Sequence, residues 1–305
     1  MPYVREDVQN VLNLLASQPG PQMHEVDPAT ARQMMAAMAG LMDRPSPAGV
    51  TKTDLTIQGP GGPLKLRRYV PESPEAGKLL LFFHGGGWVI GDLETHDGAC
   101  GSIAELLGWQ VVAVDYRLAP EAVFPAATED CLAAARWAAG SPSDLGQVDQ
   151  IVVCGDSAGG NLAAVCAREL GAEGKIVAQW LIYPGVDMNA TEGSMQEFAE
   201  GYLLTGEGMV WFINHYQPDA AHKWASPLHA EEWDGLPPAL VFTCGLDPLR
   251  DQGRAYAARL AATGHRVIFR EAAGQVHGSL NIRGAVPSAQ ADLEAQVQDL
   301  KALLS

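Results

Sequence analysis

Six short apolar runs, separated by stretches of helical character, constrain what this chain can fold into more than any other feature. They fall at residues 79–83, 111–114, 151–154, 177–182, 240–243 and 267–269. Each is too short for a buried helix, and each is apolar throughout, save Gln179 and Thr243, rather than alternating. That pattern marks strands covered on both faces. Helical stretches lie between them, notably 126–139 and 161–170. Strands alternating with helices predict an α/β fold: a mostly parallel central sheet with helices on both faces. Ahead of these runs, residues 55–57 and 64–70 alternate in polarity and read as a pair of strands around a turn at 59–63.

Two regions break the rhythm. In the first fifty residues Val8, Val11, Leu12 and Leu15 recur at helical spacing, and Pro19, Gly20 and Pro21 end that pattern. A second helix is expected from Pro28 to Met42, with Asp27 as its N-cap and Pro28 at its first position. Met34, Met35, Met38 and Met42 lie mostly on one face of it. Such a stripe either packs into a core or forms a flexible wall for an apolar substrate. From Asp187 to Ala225 no strand is expected, yet the stretch holds Phe198, Tyr202, Leu203, Leu204, Trp211, Phe212 and Tyr216. It reads as a helical insertion over the carboxyl edge of the sheet. The expected division is a helical cap segment at 1–50, core at 51–187, a second cap segment at 188–225, and core again at 226–305.

The 305 residues carry 20 basic and 36 acidic side chains, a net charge of −16. A field of that sign repels phosphate, which argues against nucleic acid and anionic membrane surfaces as partners. The five cysteines, Cys100, Cys131, Cys154, Cys166 and Cys244, have no C-x-x-C spacing, so neither a zinc site nor a disulfide framework is signalled. With no apolar leader in the first ten residues and no run long enough to span a bilayer, a reducing cytoplasm is the default location.

The chemistry is concentrated at strand ends. Gly155-Asp156-Ser157-Ala158-Gly159 has the form G-x-S-x-G and sits between a run of β-formers and a helix. In that context it predicts a sharp turn that lifts the Ser157 hydroxyl above the sheet edge, with Gly155 and Gly159 where a Cβ would not fit. Earlier, His84-Gly85-Gly86-Gly87-Trp88 follows the strand at 79–83. Successive glycines let backbone N–H groups turn toward a developing oxyanion, so Gly86 and Gly87 are expected donors, with Ala158 as the third. No G-K-[ST] follows, which removes a phosphate loop as the alternative. His84 is expected to hold this loop rather than to act as a base.

A serine nucleophile needs an imidazole to take its proton and a carboxylate to orient that imidazole. Of the histidines after Ser157, His215, His222 and His229 lie in or beside the insertion, and His265 lies in a helix-to-strand turn. His277 follows the last strand and is the expected base. Asp247, just past the strand at 240–243, is the favoured acid, because side chains emerging at strand ends line the open edge of such sheets. Asp251 and Asp187 are its rivals.

Together these residues resemble the bacterial hormone-sensitive-lipase-like esterases of the α/β-hydrolase fold. The resemblance rests on His84–Trp88, Asp115-Tyr116-Arg117-Leu118-Ala119-Pro120-Glu121, Gly155–Gly160, Asp247-Pro248-Leu249-Arg250-Asp251 and His277-Gly278. It implies a triad of Ser157, Asp247 and His277, oxyanion donors at Gly86, Gly87 and Ala158, a helical cap built from both irregular regions, no cofactor and no metal. It also implies hydrolysis of a small-molecule ester through an acyl-enzyme, with short to medium acyl chains. Ser279 and Gln252 depart from the family pattern, which usually has an aromatic residue and often an acid there. An amidase or peptidase using the same triad and a non-catalytic receptor on the same scaffold are the other readings. Trp88, Tyr202, Leu203 and Trp211 are candidate lining residues of the substrate pocket, and a strand near the last helix (residues 288–304) is a candidate homodimer contact.

Overall fold

The structure is a computed structural model that describes residues 2–17 and 20–305; Pro19, one of the expected helix-ending residues, lies outside the described residues. Its frame is one eight-stranded sheet made of β1 (Val50–Gly59), β2 (Gly62–Pro71), β3 (Gly77–Phe83), β4 (Gln110–Asp115), β5 (Val148–Asp156), β6 (Ile176–Ile182), β7 (Ala239–Leu246) and β8 (Val267–Val276), in the order β1-β2-β4-β3-β5-β6-β7-β8. Every expected strand is present. β1 and β2 form the antiparallel hairpin, β2 pairs antiparallel with β4, and the remaining pairs are parallel.

Nine helices accompany the sheet among the described residues: α1 (Glu6–Ser17), α2 (Pro28–Met42), α3 (Asp97–Leu107), α4 (Ala126–Ala139), α5 (Ala158–Leu170), α6 (Ser194–Glu197), α7 (Gly206–Tyr216), α8 (Arg250–Ala262) and α9 (Pro287–Leu304). Alternation within each strand sends successive side chains to opposite faces, and the two faces have separate cores. Leu79, Leu81, Val112, Val114, Ile151 and Val153 pack with α4, α5 and α8. Leu80, Phe82, Val111, Ala113, Val152 and Trp180 pack with α3 and α9. Burial on both faces explains why these runs are continuously apolar. The helix α3 has no counterpart among the sequence expectations. Its buried residues mix Gly98, Gly101 and Ser102 with Ala99, Cys100, Ile103, Ala104 and Leu107, so small and polar residues dilute its apolar period.

α2 begins as its sequence implies: Asp27 Oδ1 accepts the N–H groups of Ala29 and Thr30 at 3.0 and 3.1 Å. A third cluster joins Val8 and Val11 of α1 to Phe198 of the inserted stretch and to Leu246, Val276 and Ile282. The chain after α2 is strapped down as well. Arg283, fully buried, donates to Asp43 Oδ2 at 2.9 Å, and the N–H groups of Gly284 and Ala285 bond to the Met42 carbonyl. No helix among the described residues is long and apolar enough to cross a membrane.

Candidate active site

The carboxyl ends of β3, β5, β7 and β8 meet around one cavity of about 220 Å³. Between β5 and α5 the chain reverses within a single residue, Ser157, at φ 56° and ψ −117°. A left-handed φ at a non-glycine residue is strained and persists only where its surroundings demand it. Here the Ser157 N–H donates to the Ile182 carbonyl at 2.9 Å, and the Ser157 carbonyl accepts from Gly185 and Asn161 at 3.2 Å. A Cβ on Gly155 would run into the Gly159 carbonyl, and one on Gly159 into that of Phe83. The glycine spacing of the motif is therefore a packing requirement.

Ser157 Oγ donates to His277 Nε2 at 2.8 Å, and His277 Nδ1–H donates to Asp247 Oδ2 at 2.8 Å. Asp247 is fully buried, and its other oxygen accepts the Leu249 N–H at 2.7 Å, so the carboxylate is fixed at both ends. The rival acids are engaged elsewhere. Asp251 accepts the Ser194 N–H and pairs with Arg250 and Arg254, while Asp187 pairs with His229 at 2.9 Å. His215 bonds to the Trp211 carbonyl, His222 accepts the Trp224 N–H, and His265 bonds to Thr263.

Across the cavity from His277 lies the glycine loop after β3. Gly86 and Gly87 have φ of 113° and 58°. The Gly85 N–H is taken by Asp156 Oδ1 at 2.8 Å, and the Gly86 carbonyl accepts from Val89 and Ile90. Among the described residues the Gly86 and Gly87 N–H groups donate to no other group. Ala158 opens α5, where the first N–H groups of a helix have no intrahelical acceptor. Gly86, Gly87, Ala158, Ser157 and His277 all line the one cavity.

Asp156, beside the nucleophile, is buried under this loop. Besides Gly85 it faces His96 Nε2 at 3.3 Å and Tyr183 Oη at 3.5 Å. Burial opposes its charge, yet the interaction with His96 and the hydrogen bond from Gly85 outweigh that and hold its carboxyl below the usual range. Tyr183 in turn accepts the Leu280 N–H at 3.2 Å and packs its ring 4.6 Å from that of His277. His84 stacks on Tyr116 at 4.2 Å, and its Nδ1–H donates to the Gly85 carbonyl at 2.8 Å. Burial, reinforced by His96, pushes its pKa down to about 4, so it holds the loop as a neutral ring.

The cavity walls separate the four candidate lining residues. Trp88 and Leu203 line it; Tyr202 and Trp211 do not. Tyr202 meets Phe198 edge-on and packs on the third core cluster, and Trp211 lies against His215. In α7 it is the neighbour of Trp211, Phe212, whose ring covers Gly87. One residue of helical rotation decides between them, and the pattern of apolar residues in that stretch does not reveal which side faces inward. Of the methionine stripe, Met35 and Met38 line the cavity, whereas Met42 packs on the third cluster. Gln252, which departs from the family pattern, accepts the Val186 and Asp187 N–H groups at 3.0 Å, as an acid there would. Ser279, the other departure, is buried against Cys244 at 3.6 Å.

The fold and its strand-end cluster define a hydrolase of the α/β class. Residues 80–281 match the family model described as the alpha/beta hydrolase fold. The chain is 40% identical over 291 residues to carboxylic ester hydrolase LipN of Mycobacterium tuberculosis, covering 92% of this chain and 77% of that one. It is 34% identical over 293 residues to ethyl acetate hydrolase of Pseudomonas putida, covering 92% and 91%. Among solved structures, a thermostable esterase from Pseudomonas putida superposes with a TM-score of 0.94 at 32% identity, over 100% of this chain and 99% of that one. This chain belongs to the hormone-sensitive-lipase-like family of α/β hydrolases.

Proposed function

We propose that this protein is a carboxylic ester hydrolase that works through an acyl-enzyme on Ser157. The observation that carries the proposal is the unbroken hydrogen-bonded line from Ser157 Oγ through His277 to buried Asp247, facing the N–H groups of Gly86, Gly87 and Ala158 across one cavity. The names of its relatives, all ester hydrolases among those described above, support the same reading.

In the first step Ser157 Oγ attacks the ester carbonyl carbon while His277 Nε2 takes the hydroxyl proton. The carbonyl oxygen becomes an oxyanion and accepts hydrogen bonds from the three backbone N–H groups. Each such donor is worth about 3–4 kcal/mol in the transition state. The tetrahedral adduct collapses by breaking the bond to the alcohol oxygen, which leaves with the proton held by His277. Water then gives a proton to His277 and attacks the acyl carbon, and the acid departs as Ser157 regains its hydrogen. Asp247 keeps Nδ1 protonated throughout, so that Nε2 is the nitrogen that faces the serine.

We infer that residues 1–50 and 188–225 act together as the cap over the core formed by 51–187 and 226–305. Methionines from both segments line the cavity, and His24 pairs with Glu207 across them at 3.0 Å. β8 is an edge strand with Phe269 exposed, which supports a homodimer contact there. Five free, buried cysteines support a reducing, cytoplasmic location.

The test is hydrolysis of p-nitrophenyl acetate and butyrate by the purified protein and by Ser157→Ala, with matched p-nitroanilides as the amide comparison. The expected outcome is ester turnover that exceeds anilide turnover and falls at least about 10³-fold in the variant. Full turnover in Ser157→Ala would sink the assignment, and faster anilide cleavage would make the protein an amidase.

A further inference from the structure

Six of the chain's nine methionines, Met23, Met35, Met38, Met188, Met195 and Met209, line the single cavity that holds Ser157. They come from separate parts of the chain: the turn before α2, α2 itself, the loop after β6, α6 and α7. Of the six only Met35 is buried, and the other five are half-buried, with one side open to the cavity or solvent. Methionine is unbranched with three rotatable bonds, and a wall built from it reshapes around what it contacts. Leucine, isoleucine or valine in the same places would present a shape set by a few stiff rotamers.

Most polar groups on the same walls are engaged; among the described residues Trp88 Nε1 and Asn281 Oδ1 are buried without a partner. Asp187 pairs with His229, Gln252 accepts two backbone N–H groups, and the Asn281 amide bonds to His96. Away from the oxyanion glycines the lining is mainly methionine, leucine, isoleucine and phenylalanine, so most contact with a substrate there is apolar. The parts that touch the reacting carbonyl are rigid by contrast. The serine turn is held by backbone bonds, Gly87 lies under the Phe212 ring, and Trp88 stacks on Tyr216 at 4.4 Å and 3°. A fixed reacting centre inside an adaptable wall is the arrangement that promiscuous recognition uses.

We propose that the methionine wall sets the substrate range: esters whose apolar groups differ in shape, whether linear, branched or aromatic, are turned over with similar efficiency. This inference rests on the esterase reading above. The experiment measures kcat/KM for the p-nitrophenyl esters of butanoic, 2-methylpropanoic, octanoic and benzoic acid, each divided by that ester's own alkaline hydrolysis rate. The expected spread for the native protein lies within about tenfold, smaller than the 10–200-fold that a rigid apolar pocket extracts from a single methylene.

The combined variant Met35→Leu/Met38→Leu/Met209→Leu preserves volume but stiffens the wall. In it the benzoate and 2-methylpropanoate ratios to butanoate fall about tenfold further. Met42→Leu, on the same helix but packed on the core, keeps the native ratios, and thermal melts check that each variant is folded. A native spread above about tenfold, or unchanged ratios in the triple variant, overturns the inference. Absence of turnover on every ester overturns the esterase reading instead.

Discussion

Asp156 is a second buried carboxylate at the site, distinct from the one that orients His277. It stands next to Ser157 in the chain, accepts the Gly85 N–H, and faces His96 and Tyr183. Through Tyr183 and Leu280 it also touches the segment that carries His277. One side chain thus joins the serine turn, the oxyanion loop and the histidine loop. Because the oxyanion exists only after attack, a loop displaced by removal of this carboxylate loses transition-state binding without losing ground-state binding. Asp156→Ala is expected to lower kcat by about 10²–10³-fold with little change in KM. Steady-state kinetics on p-nitrophenyl butyrate check this, and a rise in KM with kcat preserved would show that Asp156 shapes substrate binding instead. This role was invisible in the sequence beyond adjacency to Ser157. The partners of Asp156 lie 60 or more residues before it at Gly85 and His96, and 27 after it at Tyr183, and no periodicity links them.

At the scale of elements, the N-terminal helices are held to the core by ion pairs. Arg32 of α2 donates to the Val89 and Ala119 carbonyls and grips Glu121 with both terminal nitrogens, at 2.8 and 2.7 Å. Its hydrogen bonds, with a smaller contribution from its charge, hold Glu121 down to about 2. That pairing is partly exposed and contributes modestly. The pair between Asp43 and Arg283 is different, because Arg283 has no exposure and lies six residues after His277. Removing one partner of a buried pair leaves an uncompensated charge in the interior. Asp43→Ala is therefore expected to destabilise the fold by about 3–5 kcal/mol. Urea denaturation measures it, and a loss below about 1 kcal/mol would mean that water reaches Arg283. Neither partner carries a motif. Asp43 follows a helix as an ordinary polar residue does, and only tertiary contact makes its charge structural.

For the whole molecule the governing quantity is how many protons the folded and unfolded chains bind. His84 is held neutral down to about 4 in the fold, and its ordinary value is 6.5. Between these the unfolded chain binds a proton that the folded chain refuses, so stability rises with pH across that window. Its contribution is fully present above pH 6.5 and is lost as the pH falls toward 4, by about 3 kcal/mol in all. Carboxylates whose values lie low in the fold, such as Glu121 and Asp156, lose their stabilisation at more acid pH still. Urea unfolding at pH 7 and pH 4.5 is expected to show that loss in the native protein and a flatter slope in His84→Gln. Equal slopes would mean that the acid response comes from another group.

The sequence by itself determined the sheet, its flanking helices apart from α3, and the chain order of the candidate serine, acid and histidine. Continuous apolar runs have no alternative to burial on both faces, and the serine turn admits only glycine at Gly155 and Gly159. Local chemistry carries those signals, so local reading recovers them. The strand-end position already favoured Asp247 over Asp187 and Asp251, and the structure bonds it to His277. Tertiary structure alone decided which of Trp211 and Phe212 faces the cavity, and which of four striped methionines line it. Each of these depends on where one element lies against another. A helix presents several apolar residues within one turn of rotation, and only the surface it packs on selects among them.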